Sequence, residues 1–96
     1  MVAYVVAQIK IDDGDTYQKY IDGFLPIFGD YKGEILAADD ATETLEGEWF
    51  GSRTVIIKFP DRDELLRWYK SPEYQELMQF RLQASEGNLV IAEGFE

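Results

Sequence analysis

Apolar residues fill almost every position from Val2 to Ile9. In an extended strand, Val2, Tyr4 and Val6 share one face, and Ala3, Val5, Ala7 and Ile9 share the other. A strand apolar on both faces needs a covering layer on each. Asp12, Asp13 and Asp15 then crowd a helix start, where the dipole favours negative charge. They read as caps, since the Asp-Asp-Gly-Asp spacing misses the calcium-loop pattern. Tyr17, Tyr20, Ile21, Phe24, Phe28 and Tyr31 follow at helical spacing as a broad aromatic stripe. Pro26 lies inside that stripe and is expected to kink the helix or divide it, with Gly33 as terminator after Lys32.

Glu34 to Ala38 read as a second strand, interrupted by a turn or bulge at Asp39-Asp40 and continued by Thr42 to Glu46 as an extended edge arm. Gly47 to Ser52 form a loop holding Trp49 and Phe50, two rings suited to an interface or to the lid of a pocket. Arg53 to Phe59 is the clearest strand. Arg53, Val55, Ile57 and Phe59 share one face, and Thr54, Ile56 and Lys58 the other.

Asp61-Arg62-Asp63-Glu64 opens a helix as a capping box, with Asp61 as cap and Glu64 reaching back. That helix must stop by Lys70, because Ser71 precedes a proline and is pushed out of the α region. Ser71 caps the next helix and Pro72 is preorganised for its first position. Two helices therefore meet at residue 71 among Trp68, Tyr69 and Tyr74. The second is expected to end near Gly87, and Leu89 to Phe95 form the last strand.

The order is β-α-β-β-α-β, with the second helical region broken in two. That pattern predicts an α+β chain of ferredoxin-like, split βαβ type, a four-stranded antiparallel sheet with helices on one face. The other sheet face stays apolar and uncovered, which predicts a second copy packed sheet to sheet as a two-fold homodimer.

Composition narrows the chemistry. Ninety-six residues suffice for one domain spanning 1–96. Nine basic and nineteen acidic residues leave a net charge of −10, a surface that repels phosphate backbones and anionic lipid, so neither nucleic acid nor membrane is an expected partner. The N-terminal residues lack a basic n-region and no apolar run is long enough to span a bilayer, so a cytoplasmic address is the expectation. The absence of cysteine removes disulfides and thiol chemistry. The absence of histidine removes the commonest general base and metal ligand, and neither a metal nor a cofactor is expected.

The segments Ala3-Tyr4-Val5-Val6-Ala7-Gln8-Ile9, Leu45-Glu46-Gly47-Glu48-Trp49, Ile57-Lys58-Phe59-Pro60 and Trp68-Tyr69-Lys70-Ser71-Pro72-Glu73-Tyr74 resemble the domain of unknown function numbered 1330, within the dimeric α/β-barrel superfamily. Smaller echoes lie at Tyr17, Tyr20, Tyr31-Lys32-Gly33, Leu77 and Arg81. Asp39-Asp40 departs from the family, whose members often carry glycines there. The resemblance implies a ferredoxin-like fold and a sheet-to-sheet dimer, and it brings no established reaction. Superfamily relatives include cofactor-independent monooxygenases, muconolactone isomerases and haem chlorite dismutases, the last excluded here for want of an axial histidine.

Arg81 is the most informative single residue. Tyr74, Leu77, Met78 and Arg81 follow the i, i+3, i+4, i+7 spacing of an inward stripe, and an arginine there is either paired or awaiting an anion. Arg53 shares the face of Val55 and Ile57. If both point into one cleft, they suit a small carboxylate; otherwise each pairs with an acidic residue or snorkels to the rim. Tyr4, Tyr17, Tyr20, Trp68 and Tyr69 are candidates to line such a cleft and suit a small aromatic or quinone-like ligand, although a tyrosine stripe is also ordinary core. A general acid or base would be a carboxylate or tyrosine such as Glu73, Asp22 or Tyr69, none singled out by spacing. Three readings follow: a small-molecule-binding homodimer, a cofactor-independent enzyme on a small aromatic or lactone substrate, and a protein-interaction module using Trp49 and Phe50.

Overall fold

The doubly apolar first segment forms β1 (Ala3–Ile11), and the sheet is built around it. The structure, a computed structural model, describes residues 1–95. After β1 come α1 (Gly14–Phe28), β2 (Glu34–Asp39), β3 (Arg53–Phe59), α2 (Arg62–Tyr69), α3 (Pro72–Ala84) and β4 (Ser85–Glu93). The four strands are antiparallel in the order β2-β3-β1-β4. The expected α+β architecture is therefore present, with the helices gathered on one face.

Residues directly opposite in an antiparallel ladder share a face. Ala3 faces Phe59, Val5 faces Ile57, Ala7 faces Val55 and Ile9 faces Arg53, while Leu89 and Ile91 lie opposite Ala7 and Val5 on the other side. This inner face meets the helices, and Ala3, Val5, Ala7, Ile9, Ile57 and Phe59 are buried there. On the outer face, Tyr4, Val6 and Ile56 are half-buried and Val90 is exposed. No helix of the described residues covers that face.

Trp68 is the hub of the core, at 1% exposure. Its ring lies 4.3 Å from that of Tyr74, 5.4 Å from Phe59, 5.7 Å from Phe28 and 6.0 Å from Phe24, centroid to centroid. Ser71 fixes the corner that makes this possible. Its hydroxyl donates to the Trp68 carbonyl at 2.8 Å and accepts from the Tyr74 amide at 3.2 Å, joining the end of α2 to the start of α3.

Tertiary pairing corrects several local expectations. α1 is neither split nor divided at Pro26, and it ends at Phe28 with Gly29 as cap, four residues before Gly33. Pro26 and Asp22, whose carbonyl loses its usual partner, both lie on the solvent side, where that carbonyl is open to water. Packing on either side, with Phe24 stacked on Phe28 at 5.0 Å, carries the helix past the proline. Gly33 instead makes room for rings, since a Cβ there would collide with Phe28 and Phe59. β2 runs on to Asp39 and its bulge lies earlier, between Ile35 and Ala37. Thr42 to Glu46 pair with no strand and leave the sheet. α3 stops at Ala84, not near Gly87, because β1 is long enough to recruit Ser85 to Asn88 as ladder partners. The Ala84 carbonyl accepts from the Asp12 and Asp13 amides, and Phe95 lies beyond the strand.

The capping box is half formed. Asp61 accepts from the Glu64 amide at 2.8 Å, but the Glu64 carboxylate turns away from Asp61. It accepts from Arg67 at 2.8 Å through both oxygens and from the Lys32 amide at 3.0 Å, tying the segment before β2 to α2. The Arg67 bonds, then the Lys32 amide, hold this carboxyl at about 2, below its ordinary 4.5. A depressed pKa stabilises the fold fully above the unfolded value and progressively less as pH falls toward the folded one. Glu64→Gln should therefore flatten the acid limb of the stability curve between about 4.5 and 2, measured by urea midpoints across that range. An unchanged acid limb would show that these bonds do not matter to folding.

Candidate functional site

Between the inner sheet face and the helices lies a cavity of about 230 Å³. It exceeds the ~150 Å³ apolar cavity that accepts a benzene ring. Val5, Ala7, Ile9, Val55, Ile57 and Leu89 form its floor, and Phe24, Trp68, Tyr74 and Arg81 its helical walls. Ile21, Leu25 and Ile35 are lining residues that are also exposed, at 39%, 64% and 41%, so the mouth opens between α1 and the edge strand β2.

The sheet register and the helical stripes together bring Arg53, Arg81, Tyr17, Tyr20 and Trp68 to this one cavity. Arg53 reaches it because its position opposite Ile9 is an inner-face position. Arg81 reaches it from the inward stripe of α3, where Tyr74, Leu77 and Met78 are also buried. Tyr4 does not line it, because odd positions of β1 turn inward and Tyr4 lies on the outer face. Tyr69, the last residue of α2, is likewise outside the lining, though its ring lies 5.6 Å from Tyr74. Trp49 is no lid for this cleft. It bonds Thr54, an outer-face residue, through its indole nitrogen at 2.9 Å, and with residues 42–46 it borders a separate shallow groove.

The polar groups of the cleft are two guanidiniums, an indole N–H and three phenols. Tyr20 and Tyr74 share a hydrogen bond between their hydroxyls at 2.7 Å. Burial raises the phenols of Tyr17, Tyr20 and Tyr74 above their ordinary value of 10, which keeps them protonated at neutral pH. The guanidinium carbon of Arg81 sits 5.7 Å from the Tyr20 ring centre, and that of Arg53 6.0 Å from the Tyr17 ring centre. Three buried side-chain nitrogens among the described residues have no hydrogen-bond partner: Nε of Arg53, Nε of Arg81 and Nε1 of Trp68. All three belong to residues lining this one cavity. Among the described residues no carboxylate lines it. Asp22 is exposed and accepts from Gln18, and Glu73 is exposed in the first turn of α3, so neither supplies a base to the cleft.

Sequence reasoning missed Tyr74, Ile35 and Ala38 as lining residues. Tyr74 was available from the stripe it shares with Arg81. Ile35 and Ala38 face the same way only because of the bulge between Ile35 and Ala37, which shifts the alternation by one. Among the described residues no group of acidic side chains could hold a metal ion, and no helix is long and apolar enough to cross a membrane.

A family model for the domain of unknown function DUF1330 matches residues 2–95. The chain belongs to the DUF1330 family. No curated protein matches this DUF1330 chain in sequence. Its fold is shared by a protein of unknown function from Rhodopseudomonas palustris, 15% identical with a TM-score of 0.79, the match covering 99% of this chain and 83% of that one. A dimeric ferredoxin-like protein of unknown function from Thermobifida fusca is 12% identical at a TM-score of 0.68, covering 98% and 92%. SnoaB, a cofactor-independent oxygenase from Streptomyces nogalater, is 11% identical at a TM-score of 0.66, covering 99% and 94%. At these identities the likeness establishes the ferredoxin-like fold and no activity.

Proposed function

We propose that this DUF1330 chain is a homodimeric small-molecule-binding domain whose cleft takes a small aromatic or carboxylate ligand. The observation that carries the reading is that three buried nitrogens without a hydrogen-bond partner all belong to residues lining one apolar cavity. A buried donor without an acceptor is costly, and a ligand oxygen would offer such a cleft a further acceptor. The dimer is supported by the uncovered outer face and by the dimeric ferredoxin-like proteins that share the fold. Packing a second sheet there would cover Val6, Ile56 and Val90 without touching the mouth of the cleft.

Binding is a better-supported reading than catalysis. A cofactor-independent enzyme, the activity named for SnoaB, is the second reading. Among the described residues no carboxylate lines this cleft, and the chain has no histidine, so no described lining side chain is placed to take a proton near neutral pH.

A thermal-shift screen of aromatic acids, quinones and lactones tests the proposal. A ligand at one hundred times its Kd stabilises the folded state by about 2.7 kcal/mol, which for a domain of this size raises Tm by on the order of 10 °C. Aromatic acids should give the largest shifts. A screen without a single shift would remove the cleft as a ligand site, and light scattering showing one chain per particle would remove the dimer.

A further inference from the structure

The two guanidiniums of the cleft are not equivalent. Arg53 bonds the Asp40 carboxylate through Nη1 at 2.6 Å, and 19% of its side-chain surface stays exposed. Arg81 is 5% exposed, and among the described residues no carboxylate lies within ion-pair distance of it. The titratable groups near Arg81 are phenols, those of Tyr20 on α1 and of Tyr74 and Tyr69 at the α2–α3 corner. Arg53 therefore arrives with its charge balanced, whereas Arg81 is a buried cation still lacking an anion.

Resting on the small-molecule reading above, we infer that the cleft takes a monoanion, acid group first: the negative charge sits on Arg81, the apolar body points to the mouth between Leu25 and Ile35, and Asp40 withholds Arg53 from a second charge. A neutral ligand leaves the buried guanidinium uncompensated, so it forfeits the strongest interaction on offer. A dianion places its second charge beside the carboxylate already on Arg53, and like charges in a partly desolvated site repel. A single negative charge matches the one positive charge that the protein leaves open. The head must lie deep because Arg81 is buried, and the tail must lie outward because the exposed lining residues are aliphatic. Asp40 makes this selection a property of this chain, since it is an exposed residue at the turn after β2 whose clearest role is to hold Arg53.

Calorimetric titration with benzoate, benzamide, and the dianions phthalate and isophthalate compares one ring carrying one, no and two charges. Benzoate should bind tightest, with benzamide and both dianions weaker by at least about tenfold, the minimum expected when one charged donor is left unpaired or one like charge is added. In Asp40→Asn, Arg53 is released, and the better of the two dianions should gain at least about tenfold. In Arg81→Met, the preference for benzoate over benzamide should vanish. Dianions that bind the unaltered protein as well as benzoate, or that gain nothing from Asp40→Asn, would overturn the inference and leave the cleft as a binding site. Failure of all four probes to bind the unaltered protein would overturn the inference together with the function proposed above.

Discussion

Replacing Arg81 with methionine is expected to raise the melting temperature of the unliganded protein while abolishing its response to aromatic acids. Two independent facts lead there. Arg81 is buried at 5% exposure, its Nε has no partner, and among the described residues no carboxylate neutralises it. Exchanging a buried ion pair for apolar side chains of similar volume is neutral or stabilising by up to about 4 kcal/mol in measured cases. A buried charge without a partner is costlier still to the fold, and methionine keeps most of the aliphatic stem of Arg81. At about 4–8 °C per kcal/mol for a domain of this size, the rise is measurable by calorimetry. The same change removes the one buried cation among the described residues with an unmet charge, so ligand-induced shifts should disappear. A lower melting temperature in the variant would mean that the guanidinium is already satisfied in the unliganded fold. The reason to expect an anion in the cleft would then be gone.

The largest loss of stability is expected for Trp68→Ala. The indole is 1% exposed and meets Phe24, Phe28, Phe59, Tyr69 and Tyr74 at centroid distances of 4.3 to 6.0 Å. Deleting a buried aromatic of this kind costs about 3–5 kcal/mol, from lost transfer energy and from the cavity left behind. Domains have only about 5–15 kcal/mol in total, so the variant should be marginal at room temperature. Trp68→Phe separates packing from polarity. It retains one ring in the cluster and deletes an indole nitrogen that has no partner, so its cost should be well below that of alanine. Urea unfolding with equal m-values measures both variants. If phenylalanine and alanine cost the same, the nitrogen is making a bond that the structure does not contain.

How far the sequence reaches depends on whether a feature is local. The Ser71-Pro72 start, the Asp61 cap and the strand Arg53 to Phe59 depend on neighbours a few residues away, and each is found where the pattern put it. Boundaries set by distant partners were not legible. Ser85 to Asn88 would not form a strand alone, yet they pair with Gln8 to Ile11 because β1 extends that far. Pro26 reads as a kink or a division, yet α1 is continuous through it, with rings packed on both sides. Thr42 to Glu46 read as strand, yet β2 already ends at Asp39, where its carboxylate accepts from the Ala41 amide and turns the chain.

The candidate site divides along the same line. Alternation and helical period put Arg53 and Arg81 on faces shared with apolar residues, and the aromatic stripe is enough to place Tyr17 and Tyr20 on the buried side of α1. Period alone could not say that Tyr4 falls on the opposite sheet face from Arg53, since β1 is apolar on both. Nor could it pair Arg53 with Asp40, thirteen residues away across the β2–β3 connection, and leave Arg81 without a carboxylate. The amino-acid order by itself determined the main elements, their sequence and the apolar faces that Arg53 and Arg81 share, because those follow from periods of two and 3.6 residues. Only the tertiary structure decided which arginine keeps an unmet charge, because that depends on which side chains the folded sheet and helices bring within bonding distance.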